Sequence, residues 1–181
     1  MLLAAHQPNF CPWLAYMDKI NKADIFVLMV NCQFEKNGYQ NRAEVFGKWW
    51  TMPVQSGLKN IKDKKYVNGE RLTVVNEAWI RALCLTLGID TAKLRYDFPT
   101  EARGTERIIE LCKYYECDQY LTNPDAIEKY LNEKMMNDAG IEVIHHKFPH
   151  KIHTLEAFDQ WGIEGTQKLL AKEKERSKCV T

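Results

Sequence analysis

The sequence has no apolar run near the ~20 residues that a bilayer-spanning helix needs. Its first residues carry no positive n-region, so no secretory leader is expected. Neither sign of charge is in excess: 25 Lys and Arg against 24 Asp and Glu leave a net charge of +1. No global basic field argues for nucleic acid, and no acidic tail is present. The six cysteines, at 11, 32, 84, 112, 117 and 179, form no C-x-x-C and no framework. They read as free thiols of a reduced, cytoplasmic protein. Cys112 and Cys117 are spaced poorly for a metal, and no His pair stands at finger-like distance, so no metal ligand is assigned. Walker, G-x-G-x-x-G, G-x-S-x-G and H-E-x-x-H motifs are all missing. The missing dinucleotide signature argues against a dehydrogenase. There is no internal repeat or low-complexity tract.

What is present suits a globular chain. Of 181 residues, 45% are hydrophobic and 27% charged, enough for one domain with its own core. That domain is expected over residues 1–172, with a charged tail at 173–181 that frays. Residues 2–5 read as a short buried strand. Apolar residues from Trp13 to Ile20 recur at three and four, which predicts a helix to Lys22 with Pro12 in its first turn. The run IFVLMV, 25–30, reads as a buried strand, which completes a βαβ unit. WWTMPV at 49–54 and RLTVV at 71–75 read as further strands. Asn76 is placed to cap a helix that Gly88 ends. Residues 92–97, 119–121 and 141–146 have strand character. Helices are predicted from Thr105 to about Glu116, from Pro124 to near Gly140, and from Thr154 with Gly162 as a weak point. Strand and helix alternate, so the fold class is α/β: a three-layer, mainly parallel, Rossmann-like single domain.

In such sheets the ligand crevice lies beyond the carboxyl ends of the strands. The turn HQPNF after the first strand falls there, as does NCQFEKNGYQNR at 31–42. These loops hold His6, Gln7, Asn9, Gln33, Lys36, Asn41 and Arg42, groups that can bind hydroxyls, carboxylates or phosphates. Structural alternatives stand beside these readings. Asn9 could cap the following helix, and Gln40-Asn41-Arg42 could be a surface turn. The four lysines between 56 and 65 could be a solvated loop or a phosphate-attracting lip. Adjacent Trp49 and Trp50 point apart in a strand, with one expected in the core and the other free to line a pocket. His145 and His146 point apart too, which argues against a metal pair. Cys11, beside the His6 turn and near a helix N-terminus, is a candidate thiol nucleophile.

The segment H-Q-P-N-F-x-x-W-x-x-Y-x-x-K-I-x-x-A-D-x-F-V at 6–27 closely resembles the opening of the WbqC-like protein family. The likeness continues in Gln33-Phe34-x-Lys36, Gln40-Asn41-Arg42, WWTMPV, the helix with Thr105 and Cys112, YLTNPDAIEKYL, and HTLEAFDQWG with Asp159. Two departures stand out: a shorter middle over 55–100, and Glu156-Ala157-Phe158 where aliphatics precede the aspartate in the family. The resemblance implies a bacterial or phage origin and, for several members, gene neighbourhoods of surface-polysaccharide synthesis. A lesser likeness, over about 35 residues, is to nucleotidylyltransferases and pantothenate synthetases, whose H-x-x-H holds the phosphates of a nucleotide triphosphate. His6 matches the first histidine and Asn9 replaces the second. Val30–Phe34 resembles the substrate-side loop of the latter. His153-Thr154, at a helix start, could receive an anion.

Three functions follow as expectations. The first is a transferase or ATP-dependent ligase. It would move an acyl, aminoacyl or nucleotidyl group onto a sugar-like or nucleotide-linked acceptor, using a nucleotide triphosphate with Mg²⁺. His6, Asn9 and Lys19 would be catalytic. Gln7, Gln33, Lys36, Asn41, Arg42, Thr105, His153, Thr154 and Asp159 would hold substrate. The second is a non-catalytic nucleotide- or sugar-binding module. The third is a phage nucleic-acid modification enzyme or accessory factor, for which the +1 charge offers little support.

Overall fold

A computed structural model describes residues 1–178. Five parallel strands form the central sheet: β1 (Leu2–His6), β2 (Ile25–Leu28), β5 (Leu94–Tyr96), β6 (Gln119–Thr122) and β7 (Glu142–His145). Their spatial order is β5-β2-β1-β6-β7. The chain therefore builds outward from β1 through β2 to β5, then crosses to the other side for β6 and β7. The strand order reverses between β1 and β6, which is the place where open α/β sheets bind ligands.

Side chains alternate across this sheet and define two cores. Ala4, Phe26 and Leu28 face α1 (Leu14–Lys22), α2 (Leu72–Leu87) and α6 (Thr154–Lys178). Leu3, Ala5 and Val27 face α3 (Gly104–Tyr114), the short α4 (Pro124–Lys129) and α5 (Glu133–Asp138). The result is the expected three-layer sandwich. A separate antiparallel hairpin, β3 (Arg42–Val45) and β4 (Lys48–Thr51), packs Ala43 and Val45 against Phe10 and Cys11.

Five local readings change. RLTVV is not a strand. Arg71 is the N-cap of α2, and Leu72, Asn76, Ile80, Leu83, Cys84 and Leu87 form one buried helical face. The β-branched run is locally strand-like, but a face with a period near 3.6 decides the outcome. Asn76 is thus interior, not a cap. The segment after Pro124 is two helices because the Thr105 hydroxyl donates to the Tyr130 carbonyl (3.0 Å) and accepts from Asn132 N (2.8 Å). Trp49 and Trp50 do point apart, yet neither is core: they are 47% and 51% exposed. Pro12 lies before the N-cap Trp13 rather than in the first turn.

Other expectations hold. Gly88 ends α2 with φ 71°, and Ile89 N bonds back to the Cys84 carbonyl at 2.8 Å. Gly162 breaks α6 with φ 67° and ψ 174°. The helix then continues through the charged segment to Lys178 with Glu173 buried, so 173–178 is helix rather than the expected fraying tail. Cys179 and the rest of the tail's last three residues lie outside the described ones. No helix among the described residues is long and apolar enough to cross a membrane.

Candidate functional site

At the strand-order reversal stand the residues that end β1, β6 and β7. His6 closes β1, Asn123 follows β6 and His146 follows β7. Helix α1 contributes Asp18, Lys19 and Lys22. Asp18 is fully buried. Its Oδ2 accepts from Lys22 Nζ at 2.7 Å and from His146 Nε2 at 2.7 Å. His146 Nδ1 lies 3.1 Å from Asn123 Oδ1.

This pairing leaves Lys19 alone. The residue is 5% exposed, and among the described residues its ammonium has no ion pair or hydrogen bond. Burial pushes its pKa down from 10.5 to about 8. The nearest acid in sequence, Asp18, binds Lys22 and His146 through Oδ2 and keeps Oδ1 buried without a partner, but no ion pair joins it to Lys19. A buried cation without a counter-ion is costly and calls for an anion from outside.

His6 is the neighbour that feels this charge. Burial, then the Lys19 ammonium, bring its pKa from 6.5 to about 4, against an opposing hydrogen bond to Gln7. That bond runs from Nδ1 to the Gln7 carbonyl at 3.0 Å. A carbonyl only accepts, so Nδ1 carries the proton and Nε2 is the free lone pair. The Tyr16 ring stands edge-on to the imidazole at 5.0 Å, and its hydroxyl donates to the same carbonyl at 3.2 Å. At neutral pH His6 is therefore an uncharged, oriented base.

The turn after His6 is fixed from behind. Asn76, fully buried in α2, donates to the Pro8 carbonyl (2.8 Å) and the Gln40 carbonyl (2.6 Å). Its own oxygen accepts from Tyr66 Oη at 2.6 Å. Gln40 also donates to the Gln7 side chain, and Phe10 N bonds to the Tyr39 carbonyl at 2.9 Å. The turn and the 37–42 loop are thus one rigid unit. Asn9 is 8% exposed and its side chain has no hydrogen bond among the described residues, so it does not cap α1.

The remaining candidates fall into different surroundings. Gln7 is tied to Gln40, beside His6. Asn41 donates to the Met52 carbonyl at 2.8 Å, with its Oδ1 buried and unsatisfied. Arg42 lies over the Trp49 ring at 4.3 Å, and its Nε is likewise unsatisfied. Gln33, Lys36 and Asp159 are exposed. Thr105 joins α3 to the α4–α5 junction. His153 and Thr154 are fully buried and hold the preceding turn: His153 Nε2 donates to the Cys11 carbonyl, and Thr154 Oγ1 to that of Pro12 at 2.7 Å. Burial lifts the Cys11 thiol to about 11, far from a ready nucleophile. Lys64 turns inward to the Leu58 carbonyl at 3.0 Å, so the lysine loop is not uniformly solvated.

Sequence reasoning missed Asp18, Lys22, Asn123, His146 and the interior Asn76. The i, i+4 spacing of Asp18 and Lys22 was a readable signal. The approach of His146, 128 residues along the chain, was not. Among the described residues no group of three or more His, Cys, Asp or Glu side chains could hold a metal ion.

The model of the WbqC-like protein family matches residues 7–73 and 65–160. An uncharacterized Mycobacterium tuberculosis protein, Rv1507c, is 23% identical over 185 residues, spanning 78% of this chain and 80% of its own. No solved structure matches the chain significantly.

Proposed function

The chain belongs to the WbqC-like protein family, and from that premise and the chemistry of the crevice we propose that it is a group-transfer enzyme, a transferase or ligase. Its donor is a nucleotide or nucleotide-linked sugar whose phosphates sit against Lys19, His6 and Asn9. The acceptor offers an amine or hydroxyl, on a sugar-like, nucleotide-linked or other small molecule. The observation that carries this reading is the buried, unpaired ammonium of Lys19 beside a neutral histidine at the strand-order reversal.

The roles follow from the proton positions. An amine or hydroxyl of the acceptor attacks the activated carbon or phosphorus of the donor. As the new bond forms, the bond to the phosphate leaving group breaks and its electron pair departs on a phosphate oxygen. The free Nε2 of His6 takes the acceptor's proton. Lys19 offsets the negative charge that gathers on the leaving phosphate. Asn9 offers an unpaired amide to the same group. Pathway context in surface-polysaccharide synthesis is consistent with the family resemblance and belongs to the same proposal.

A thermal-shift panel of nucleoside triphosphates, nucleotide-sugars and matching phosphate-free nucleosides tests the reading. At a hundred times its Kd, a phosphate-bearing ligand should stabilise the protein by about 2.7 kcal/mol. Nucleosides without phosphate should give no shift. Equal shifts with and without phosphate, or none at millimolar concentration, contradict the proposal. A ligand that binds and is returned unchanged with every acceptor would favour a binding module instead.

A further inference from the structure

A cavity opens at the same sheet edge, beyond β2 and β5. Its volume is about 450 Å³, within the range of small-molecule sites. Asn31, Asn60, Lys62, Pro99, Thr100 and Glu101 line it. We propose that this cavity is the acceptor subsite and takes a small zwitterion, a molecule of the amino-acid class with a free carboxylate and a free ammonium. This inference rests on the group-transfer reading and adds to it the chemical class of the acceptor.

The floor of the cavity is built rigidly. Asp97, with its side chain fully buried, accepts from Val30 N at 2.7 Å and from Asn31 N at 3.1 Å. Asn31 Nδ2 donates to the Asp97 carbonyl and to Oδ1, both at 3.1 Å. Arg107 pairs with the other carboxylate oxygen and donates from Nη2 to the Asn31 carbonyl at 3.1 Å. Every donor of Asn31 is thus committed, and its side-chain oxygen is the acceptor left over. A buried carboxylate that gathers this many donors fixes the loop after β2 in one geometry.

The walls carry opposite charges that do not meet. Among the described residues, the side chains of Lys62 and Glu101 have no ion pair or hydrogen bond, with each other or with any other group. The Asn60 amide is likewise unpaired. A ligand bearing both charges satisfies both walls at once, its carboxylate on Lys62 and its ammonium on Glu101, while the amides read its polar atoms. No aromatic ring lines the cavity, so it has no stacking face for a nucleobase. Through Asn31 the subsite adjoins the loop that carries Cys32, and the Gln7 side chain, next to His6, is among the groups that act on that thiol.

Saturation-transfer NMR and calorimetry with the twenty common L-amino acids provide the probe. At least one should bind saturably. Its C-terminal amide and its N-acetyl form, each lacking one charge, should bind at least tenfold more weakly. Lys62→Gln and Glu101→Gln, both surface changes, should each cost at least tenfold. Absence of saturable binding, equal binding of the amide or N-acetyl forms, or preference for glucosamine, a cation without a carboxylate, overturns the proposal. Nucleotide binding measured on the same samples separates the two readings. If it persists while no amino acid binds, only the acceptor assignment fails. If amino acids bind while no phosphate ligand does, the donor site fails.

Discussion

Lys19 shows how one side chain can be both a burden and a purpose. Its neighbour Asp18 would be the natural counter-ion, but that carboxylate pairs through Oδ2 with Lys22 and His146, and its buried Oδ1 has no partner. The folded pKa of Lys19, about 8 against 10.5, gives the sign of its effect. Below pH 8 both folded and unfolded chains hold the proton, and folding bears the full cost of burying the charge. Between the two values the unfolded chain binds more protons, so stability rises with pH. Above 10.5 the penalty is gone. Lys19→Met should therefore raise the stability of the ligand-free protein by about 2–3 kcal/mol at pH 7. Urea denaturation at several pH values checks this, since the gain should shrink as pH climbs from 8 to 10.5. The sequence made Lys19 a candidate through its place in the opening motif. Its isolation was not legible, because that depends on His146 arriving from the other side of the sheet.

At the scale of elements, the turn after β1 depends on a residue from α2. Asn76 spends both amide hydrogens and its oxygen on Pro8, Gln40 and Tyr66. Asn76→Ala would leave buried carbonyls and a buried hydroxyl without partners. It should cost about 3 kcal/mol in chemical denaturation. Nucleotide affinity should fall as well, since the His6–Asn9 turn would lose its tie to the 37–42 loop. A variant with unchanged affinity at a temperature where it remains folded would show that the turn is held by other contacts. The same residue explains why the sequence misled locally. Leu-Thr-Val-Val reads as strand on propensity, and the helix is recognised only when Leu72, Asn76, Ile80 and Leu83 are taken as one face. The central strands were easier. LLAA and IFVL are bounded by breakers and have no competing helical period. The hairpin was half legible, since its second strand stood out in the tryptophans while RAEV carried no strand signal of its own.

For the whole molecule, the strand order is what turns scattered polar residues into a site. The βαβ start predicted a parallel sheet, and the crossing from β5 back to β6 places the reversal beside His6. Strand alternation made the class readable, but not which strands would be neighbours. That is why Asn123 and His146 could not be assigned from spacing. It is also why His153 and Thr154, taken for an anion site, instead clamp the turn at Cys11 and Pro12. The charged cluster of Asp18, Lys19 and Lys22 and the polar cavity beyond β5 share one edge, as the proposed two-substrate reaction would need. On the proposed reading, Lys19 awaits a phosphate. Calorimetric titration of the strongest phosphate ligand from the thermal-shift panel into the native protein and into Lys19→Met tests it most directly. The variant should remain folded, more stable than the native chain, yet bind at least tenfold more weakly. Equal affinity for the two proteins would contradict the account.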